Sequence, residues 1–101
     1  MPLDQPTTEA IRALVYDYFS RECDVETSSL NDATNIIEDL EGDSLMLLAL
    51  LEIVRKKYTI GIELKTLGKH LMKKPANTIG EIVRLSVAVV EHGDQILNVE
   101  L

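Results

Sequence analysis

The sequence predicts a small all-α fold, a bundle of three or four helices with one long loop after the first helix. Hydrophobic residues recur at the spacing of a helix face in several segments, and caps, glycines and prolines mark their ends. A polar stretch, residues 24–43, separates the first two of these segments. The chain has 101 residues, of which 46% are hydrophobic and 4% aromatic, so we expect one globular domain with a mainly aliphatic core.

The first helix is predicted over residues 8–22. Its apolar side chains recur at i, i+3, i+4, i+7 and i+8, which places them on one face: Ile11, Leu14, Val15, Tyr18 and Phe19. Thr7 or Thr8 is a suitable N-cap. Residues 1–6 contain two prolines and are expected to form a loose lead-in.

The loop over residues 24–43 is rich in Asp, Ser and Asn, whose side chains bond to nearby backbone and compete with regular structure. A structureless loop of this length is unusual in a small domain. Such a loop is stable if its apolar side chains pack on the core. There are five of these side chains: Val25, Leu30, Ile36, Ile37 and Leu40. Anchored loops of this length often have a function.

The second helix is predicted over residues 45–58, directly after the turn Gly42-Asp43-Ser44. Asp43 or Ser44 can cap it, and three cations in its last turn complement the negative end of the helix.

Two further helices are predicted in the C-terminal third of the chain. Apolar residues in the segment 64–74 have only approximate helical spacing. Gly68 disfavours a helix in this segment, and Pro75 ends any helix that forms. Thr78 and Glu81 match a capping box, and an apolar last helix follows until Gly93. We expect the core to cover about residues 8–90, with residues 91–101 as a tail.

The charge pattern argues against nucleic acid as a partner, since the net charge is −7 and phosphate binding needs a basic surface. The charge is uneven, because residues 1–44 carry eleven acidic and two basic side chains. Residues 55–74 carry seven basic side chains and one acidic one, Glu63. This basic region is either a solvated face or a surface for a partner.

The single cysteine, Cys23, cannot form an internal disulfide, which favours a reducing, cytoplasmic setting. No histidine lies near it in the sequence, so a catalytic thiol is not favoured. The chain does not start like a signal peptide, and its longest apolar run, residues 45–54, is too short to span a membrane.

Ser44 is the residue that carries chemistry. It opens the most hydrophobic helix, and first-turn backbone N–H groups together with the helix dipole favour an anion there. A phosphoester on Ser44 would therefore be tolerated. Gly42 allows a tight turn, and we expect Leu45 to point inward and so direct Ser44 outward.

Residues 36–45, which end in the signature Asp43-Ser44-Leu45, resemble the prosthetic-group site of the acyl carrier proteins. The order of helices and the long loop are also similar over about residues 8–90. The resemblance implies a four-helix bundle and a 4′-phosphopantetheine from coenzyme A on Ser44, with Gly42, Asp43 and Leu45 around it. Such proteins are not enzymes and have no catalytic residues; they hold acyl intermediates as thioesters in fatty acid, lipid or secondary metabolite biosynthesis. The implied partners are a phosphopantetheinyl transferase, an acyl-loading ligase and acyl-processing or transferase enzymes.

Helix 2 departs from the family pattern, which has acidic residues on its exposed face. Here it is apolar nearly all round and ends in basic residues, which predicts an exposed interface. The expected partner-binding residues are Met46, Leu47, Ala49, Leu50, Arg55 and Lys56. This favours a specialised carrier with its own ligase or transferase. The alternative is that residues 91–101 cover this face.

Three alternative functions make different demands on the sequence. A peptidyl or aminoacyl carrier would use the same serine. An unmodified helical interaction module would use Ser44 only as an N-cap. An enzyme is poorly supported, because no Gly-x-Ser-x-Gly motif is present and His70 has no second metal ligand at useful spacing. We expect no metal site and a monomer, although the apolar face of helix 2 leaves a homodimer open.

Overall fold

A computed structural model describes residues 4–73 and 75–93. Over these residues the chain forms four α-helices, so the predicted all-α bundle is confirmed. The helices are α1 (Gln5–Glu22), α2 (Ser44–Lys57), α3 (Leu64–Lys73) and α4 (Ile79–His92), with a short 3₁₀ turn at Thr27–Ser29. The expected tail falls largely on residues 94–101, which lie outside the described residues.

Helix α1 begins earlier than predicted. Its N-cap is Asp4, whose carboxylate accepts a hydrogen bond of 2.9 Å from the backbone N–H of Thr7. The predicted caps at Thr7 and Thr8 are therefore wrong, and residues 4–6 belong to the helix start rather than to a loose lead-in. Pro6 fits there because first-turn N–H groups have no intrahelical acceptor.

The core lies where α1 packs on α4 and where α2 packs on both α3 and α4. Its fully buried large side chains come from all four helices and from the loops between them. They are Ile11, Val15, Phe19, Ile36, Leu50, Leu51, Ile62, Leu67, Ile79, Ile82 and Leu85. Phe19 is the single aromatic ring among them, as the composition predicts.

The long loop after α1 is bonded to the start of α4. The N–H of Ile36 donates to the carbonyl of Asn77 at 2.8 Å, and the N–H of Ile79 donates to Thr34 at 2.9 Å. The N–H of Gly80 donates to the carbonyl of Asp32 at 3.0 Å. These bonds give the loop a fixed path that its composition does not predict.

Four of the five predicted loop anchors lie in or against the core. Leu30 and Ile36 are buried, while Val25 and Leu40 are partly buried against the core. Ile37 is 50% exposed, so its prediction as an anchor is wrong. Its neighbour Ile36 occupies the core position, while Ile37 lies in the turn that follows and is exposed.

The same part of the loop is also held by α1. The hydroxyl of Tyr16 donates to the Asp32 carboxylate at 2.6 Å, and the Arg12 guanidinium donates to the same oxygen. The hydrogen bond from Tyr16, followed by that from Arg12, lowers the pKa of Asp32. Asp32 thus joins α1 to the loop through its side chain and the loop to α4 through its carbonyl.

The C-terminal helices settle two sequence predictions. The segment after residue 63 is a helix of ten residues, α3, with Leu67 and His70 buried. The capping box of α4 is confirmed, since the N–H of Glu81 donates to the Thr78 hydroxyl at 3.2 Å and the Glu81 carboxylate accepts from the Thr78 N–H at 3.1 Å. Helix α4 ends at Gly93, where φ is +59°.

Candidate functional site

Ser44 is the first residue of α2, and Asp43 is the N-cap. Asp43 has an extended backbone, with φ −143° and ψ 177°, and its carboxylate accepts a hydrogen bond of 3.0 Å from the N–H of Met46. Of the two predicted caps, the structure therefore uses Asp43. Ser44 is not needed as a cap, and it stands in the first helical turn, where N–H groups favour an anion.

The turn before Ser44 is built on the backbone of residues 35–42. The Asn35 side chain accepts hydrogen bonds from the N–H groups of Ile37 and Glu38, at 2.9 and 3.0 Å. The left-handed residue of the turn is Glu41, with φ +56°. The N–H of Gly42 then donates to the carbonyl of Ile36 at 2.6 Å, which closes the turn.

Gly42 is required by close packing rather than by its own dihedral freedom. A Cβ at this position would lie 2.9 Å from the Ile36 carbonyl oxygen and 3.2 Å from the Met46 sulfur. Because Ile36 is itself bonded to Asn77 beside α4, this oxygen has little room to move. The contacts of Ile36 and Gly42 thus fix the position of the start of α2 relative to the start of α4.

Helix α1 contacts the first turn of α2. The hydroxyl of Tyr18 donates to the carbonyl of Met46 at 2.8 Å, and the Cys23 thiol lies 3.9 Å from the Met46 sulfur. Burial, followed by the charge of Glu22, raises the pKa of Tyr18 and of Cys23. The Cys23 contact joins the C-terminal end of α1 to the first turn of α2.

The junction of turn and helix lies on the protein surface. Leu45 is 73% exposed, so the prediction that it points inward is wrong. Leu47, at 3% exposure, takes the first core position of α2 instead. Asp43 is also exposed, and both chain neighbours of Ser44 are therefore accessible to a second protein.

A small apolar groove of about 80 Å³ adjoins Asp43. It is lined by side chains of the loop, α2, α3 and the α3–α4 connection: Ile36, Ile37, Leu47, Leu71, Pro75, Ala76 and Asn77. The half-exposed Ile37 lies at this groove rather than in the core. Apolar surface therefore begins directly beside the helix start.

The structure separates the predicted partner-binding residues of α2 into two groups. Leu47 and Leu50 are buried at 3% and 0%, so a partner cannot contact them and their prediction is wrong. Ala49 is exposed and Met46 is half-buried.

The basic end of α2 is partly engaged within the helix. Arg55 donates to both carboxylate oxygens of Glu52, at 3.0 and 2.6 Å, and Lys56 lies 3.6 Å from the same group. These hydrogen bonds, Arg55 first, lower the pKa of Glu52. An apolar strip remains exposed on α2, with Leu45, Ala49 and Ile53 at its centre.

Sequence reasoning missed the residues that position the turn. The helical spacing places Tyr18 on the apolar face of α1, and nothing in the sequence indicates that its hydroxyl reaches Met46. The role of Asn35 as a local acceptor follows from its residue type, which gives a weak signal.

Within residues 4–73 and 75–93, no group of three or more His, Cys, Asp or Glu side chains is arranged to hold a metal ion. Among the same residues, no helix combines the length and apolar character needed to cross a membrane.

Comparison with known proteins gives two matches. Residues 13–86 match the family described as phosphopantetheine attachment site. A relative named acyl carrier protein homolog, from Clostridium acetobutylicum, is 46% identical over 89 residues, which cover 88% of this chain and 86% of the relative. The family match implies a covalent 4′-phosphopantetheine, and the start of α2, where Asp43 and Leu45 are exposed beside an apolar groove, fits such a group. The chain belongs to the acyl carrier protein family.

Proposed function

We propose that this chain carries acyl groups on a 4′-phosphopantetheine attached to Ser44 and presents them to partner enzymes. The observation that carries the proposal is the position of Ser44 as first residue of α2, between the exposed residues Asp43 and Leu45. This position lies within the part of the chain that matches the attachment-site family.

The residues around Ser44 favour a phosphodiester there. The first-turn N–H groups of α2 and the helix dipole stabilise negative charge at this end. The Asp43 carboxylate accepts a hydrogen bond from the N–H of Met46, and the Tyr18 hydroxyl donates to the Met46 carbonyl. The N–H of Gly42 closes the preceding turn. The site is thus formed before modification, so the transferase does not have to order it.

The attachment step forms a bond between the Ser44 oxygen and the phosphorus of the phosphopantetheine part of coenzyme A. The serine hydroxyl gives its proton to a basic group of the transferase, the P–O bond of the diphosphate bridge breaks, and the nucleotide part of coenzyme A leaves with the second phosphate. Once bound, the group supplies a terminal thiol that holds an acyl group as a thioester. The chain itself provides the hydroxyl, the helix end and a surface for partners, while catalysis belongs to those partners.

The exposed strip on α2 supports a specialised carrier with a dedicated ligase or transferase in fatty acid, lipid or secondary metabolite biosynthesis. Leu45 and Ile53 are 73% and 42% exposed, and apolar surface of this kind marks interfaces. The name of the Clostridium relative favours an acyl cargo over an aminoacyl or peptidyl one.

The direct test is the intact mass after incubation with coenzyme A and a broad-specificity phosphopantetheinyl transferase. We expect a gain of one phosphopantetheine on the native chain and none on Ser44→Ala. Because Asp43 is the cap, Ser44→Ala should keep its far-UV circular dichroism and urea midpoint. The matched control is Ser29→Ala, an exposed serine of the loop, which should load like the native chain.

Absence of loading on the folded native chain with two different transferases would contradict the proposal. The chain would then be better described as an unmodified interaction module that uses the exposed strip of α2. Loading of Ser44→Ala to the same extent as the native chain would refute Ser44 as the site.

A further inference from the structure

Helix α3 presents a row of cations to solvent. Lys65, Lys69 and Lys73 recur at every fourth position, which places them along one face, and all three are exposed. Within the described residues, none of the three forms an ion pair with a carboxylate. Glu63 is the one acidic residue between positions 53 and 80. The row therefore carries charge that the described part of the chain does not neutralise.

An open apolar groove of about 470 Å³ lies beside this row, between α2 and α3. Its lining comprises Leu48, Gly68, Leu71 and Met72, with Lys65 and Lys69 among them. Met72 is 86% exposed, the largest exposed fraction among the large apolar side chains of the described residues. A Cβ on Gly68 would have no neighbour within 4 Å, so this glycine leaves the groove open.

We propose that this groove docks a segment of a partner enzyme that presents apolar side chains flanked by Asp or Glu. The inference names a partner chemistry for the carrier and so rests on the proposed function. Apolar side chains of the partner enter between Leu48 and Met72, while its carboxylates pair with Lys65 and Lys69. The apolar contact supplies affinity, and the charge complementarity supplies orientation and partner choice.

Other occupants fit these observations less well. An anionic membrane would be repelled by the chain as a whole, whose net charge is −7. A second copy of this chain could place into the groove its exposed residues Ile37 and Leu45, which have carboxylates beside them. That contact would join two different surfaces, would not close into a dimer, and would cover the start of α2.

The test uses the chain of 101 residues and two synthetic helical peptides. Both have leucines along one face; in the first these are flanked by glutamates, and in the second lysines replace the glutamates. Titration calorimetry gives the affinities, and ¹⁵N NMR shifts locate the binding site. The test variant is Lys65→Glu/Lys69→Glu, and the matched control is Arg21→Glu/Arg84→Glu, which reverses two exposed charges elsewhere.

We expect the glutamate peptide to bind, with shift changes concentrated at residues 48 and 65–72. Binding should weaken about tenfold in Lys65→Glu/Lys69→Glu, stay within about twofold of native in the control variant, and fall with salt. Equal binding of both peptides, shift changes outside the groove, or absence of binding would overturn the inference.

Two further results would assign the groove to another occupant and also overturn it. One is tighter binding to phosphatidylglycerol vesicles than to the glutamate peptide. The other is self-association in sedimentation that Lys65→Glu/Lys69→Glu abolishes. Phosphopantetheine loading of the native chain is measured alongside, because intact loading without peptide binding rejects the docking inference alone.

Discussion

Two glycines in helices allow a sharp comparison, since alanine should have opposite effects at Gly80 and Gly68. Glycine in a helix interior is less favourable than alanine by about 0.5–1 kcal/mol, so in open space the substitution stabilises. At Gly68 a Cβ meets nothing within 4 Å. At Gly80 it would lie 2.9 Å from the Cβ of Asp32 and 3.0 Å from the Asp32 carbonyl oxygen.

The contact at Gly80 outweighs the helix propensity because the loop cannot move freely. Asp32 accepts from Gly80 through its carbonyl and from Arg12 and Tyr16 through its carboxylate, so a shift strains three hydrogen bonds. Overpacking typically costs about 1–3 kcal/mol. Gly80 is the second residue of α4, where the interior propensity gain is mostly absent, so Gly80→Ala should lower the free energy of unfolding by about 1–3 kcal/mol. Gly68→Ala should raise it by about 0.5–1 kcal/mol.

Urea unfolding followed by circular dichroism gives both free energies, and a change of 1 kcal/mol corresponds to about 4–8 °C in Tm for a domain of this size. NMR shifts of residues near Asp32 should change in Gly80→Ala and not in Gly68→Ala. If both alanines stabilise the protein equally, the close approach of the loop to α4 does not constrain it and the reasoning is refuted.

Three more outcomes are expected. Ser86 is fully buried and its Oγ has no hydrogen-bond partner among the described residues, so Ser86→Ala should raise the unfolding free energy by about 0.5–1 kcal/mol in urea titrations; a loss would contradict this. Tyr18→Phe removes the bond to Met46 and should cost about 1 kcal/mol, with faster amide exchange in the first turn of α2; unchanged exchange would refute the anchoring role. The hydrogen bonds to Asp32 lower its pKa below the ordinary 3.8, so its contribution to stability is present above that pH and is lost as pH falls through the folded-state pKa. Urea midpoints at pH 6 and pH 3 should therefore differ less in Asp32→Asn than in the native chain, and equal differences would contradict the assignment.

The sequence predicted which segments are helical better than where they begin. Spacing and the capping box located α1, α2 and α4, because burial of one face imposes that pattern. The start of α1 was misplaced, since Asp4, Thr7 and Thr8 are all good caps and only tertiary structure chooses among them. The path of the loop was also hidden, because it depends on backbone bonds between Thr34, Ile36 and the start of α4.

The site was predicted in its position but not in its orientation. Asp43 and Ser44 lie at the helix start as the turn and the apolar run indicate. The buried face of α2 could not be predicted, because every position from Leu45 to Leu51 is apolar and the periodic signal disappears. The structure selects Leu47 and Leu50 for the core and leaves Leu45 exposed, which reverses part of the expected interface.

The measurement that tests the central claim most directly is fragmentation of the tryptic peptide 22–55 after the native chain is loaded from coenzyme A. This peptide contains three serines, Ser28, Ser29 and Ser44, so the fragments identify the modified one. The account predicts one phosphopantetheine on Ser44, with Ser28 and Ser29 unmodified. The group on either loop serine, or an unmodified peptide from folded protein treated with two transferases, would contradict it.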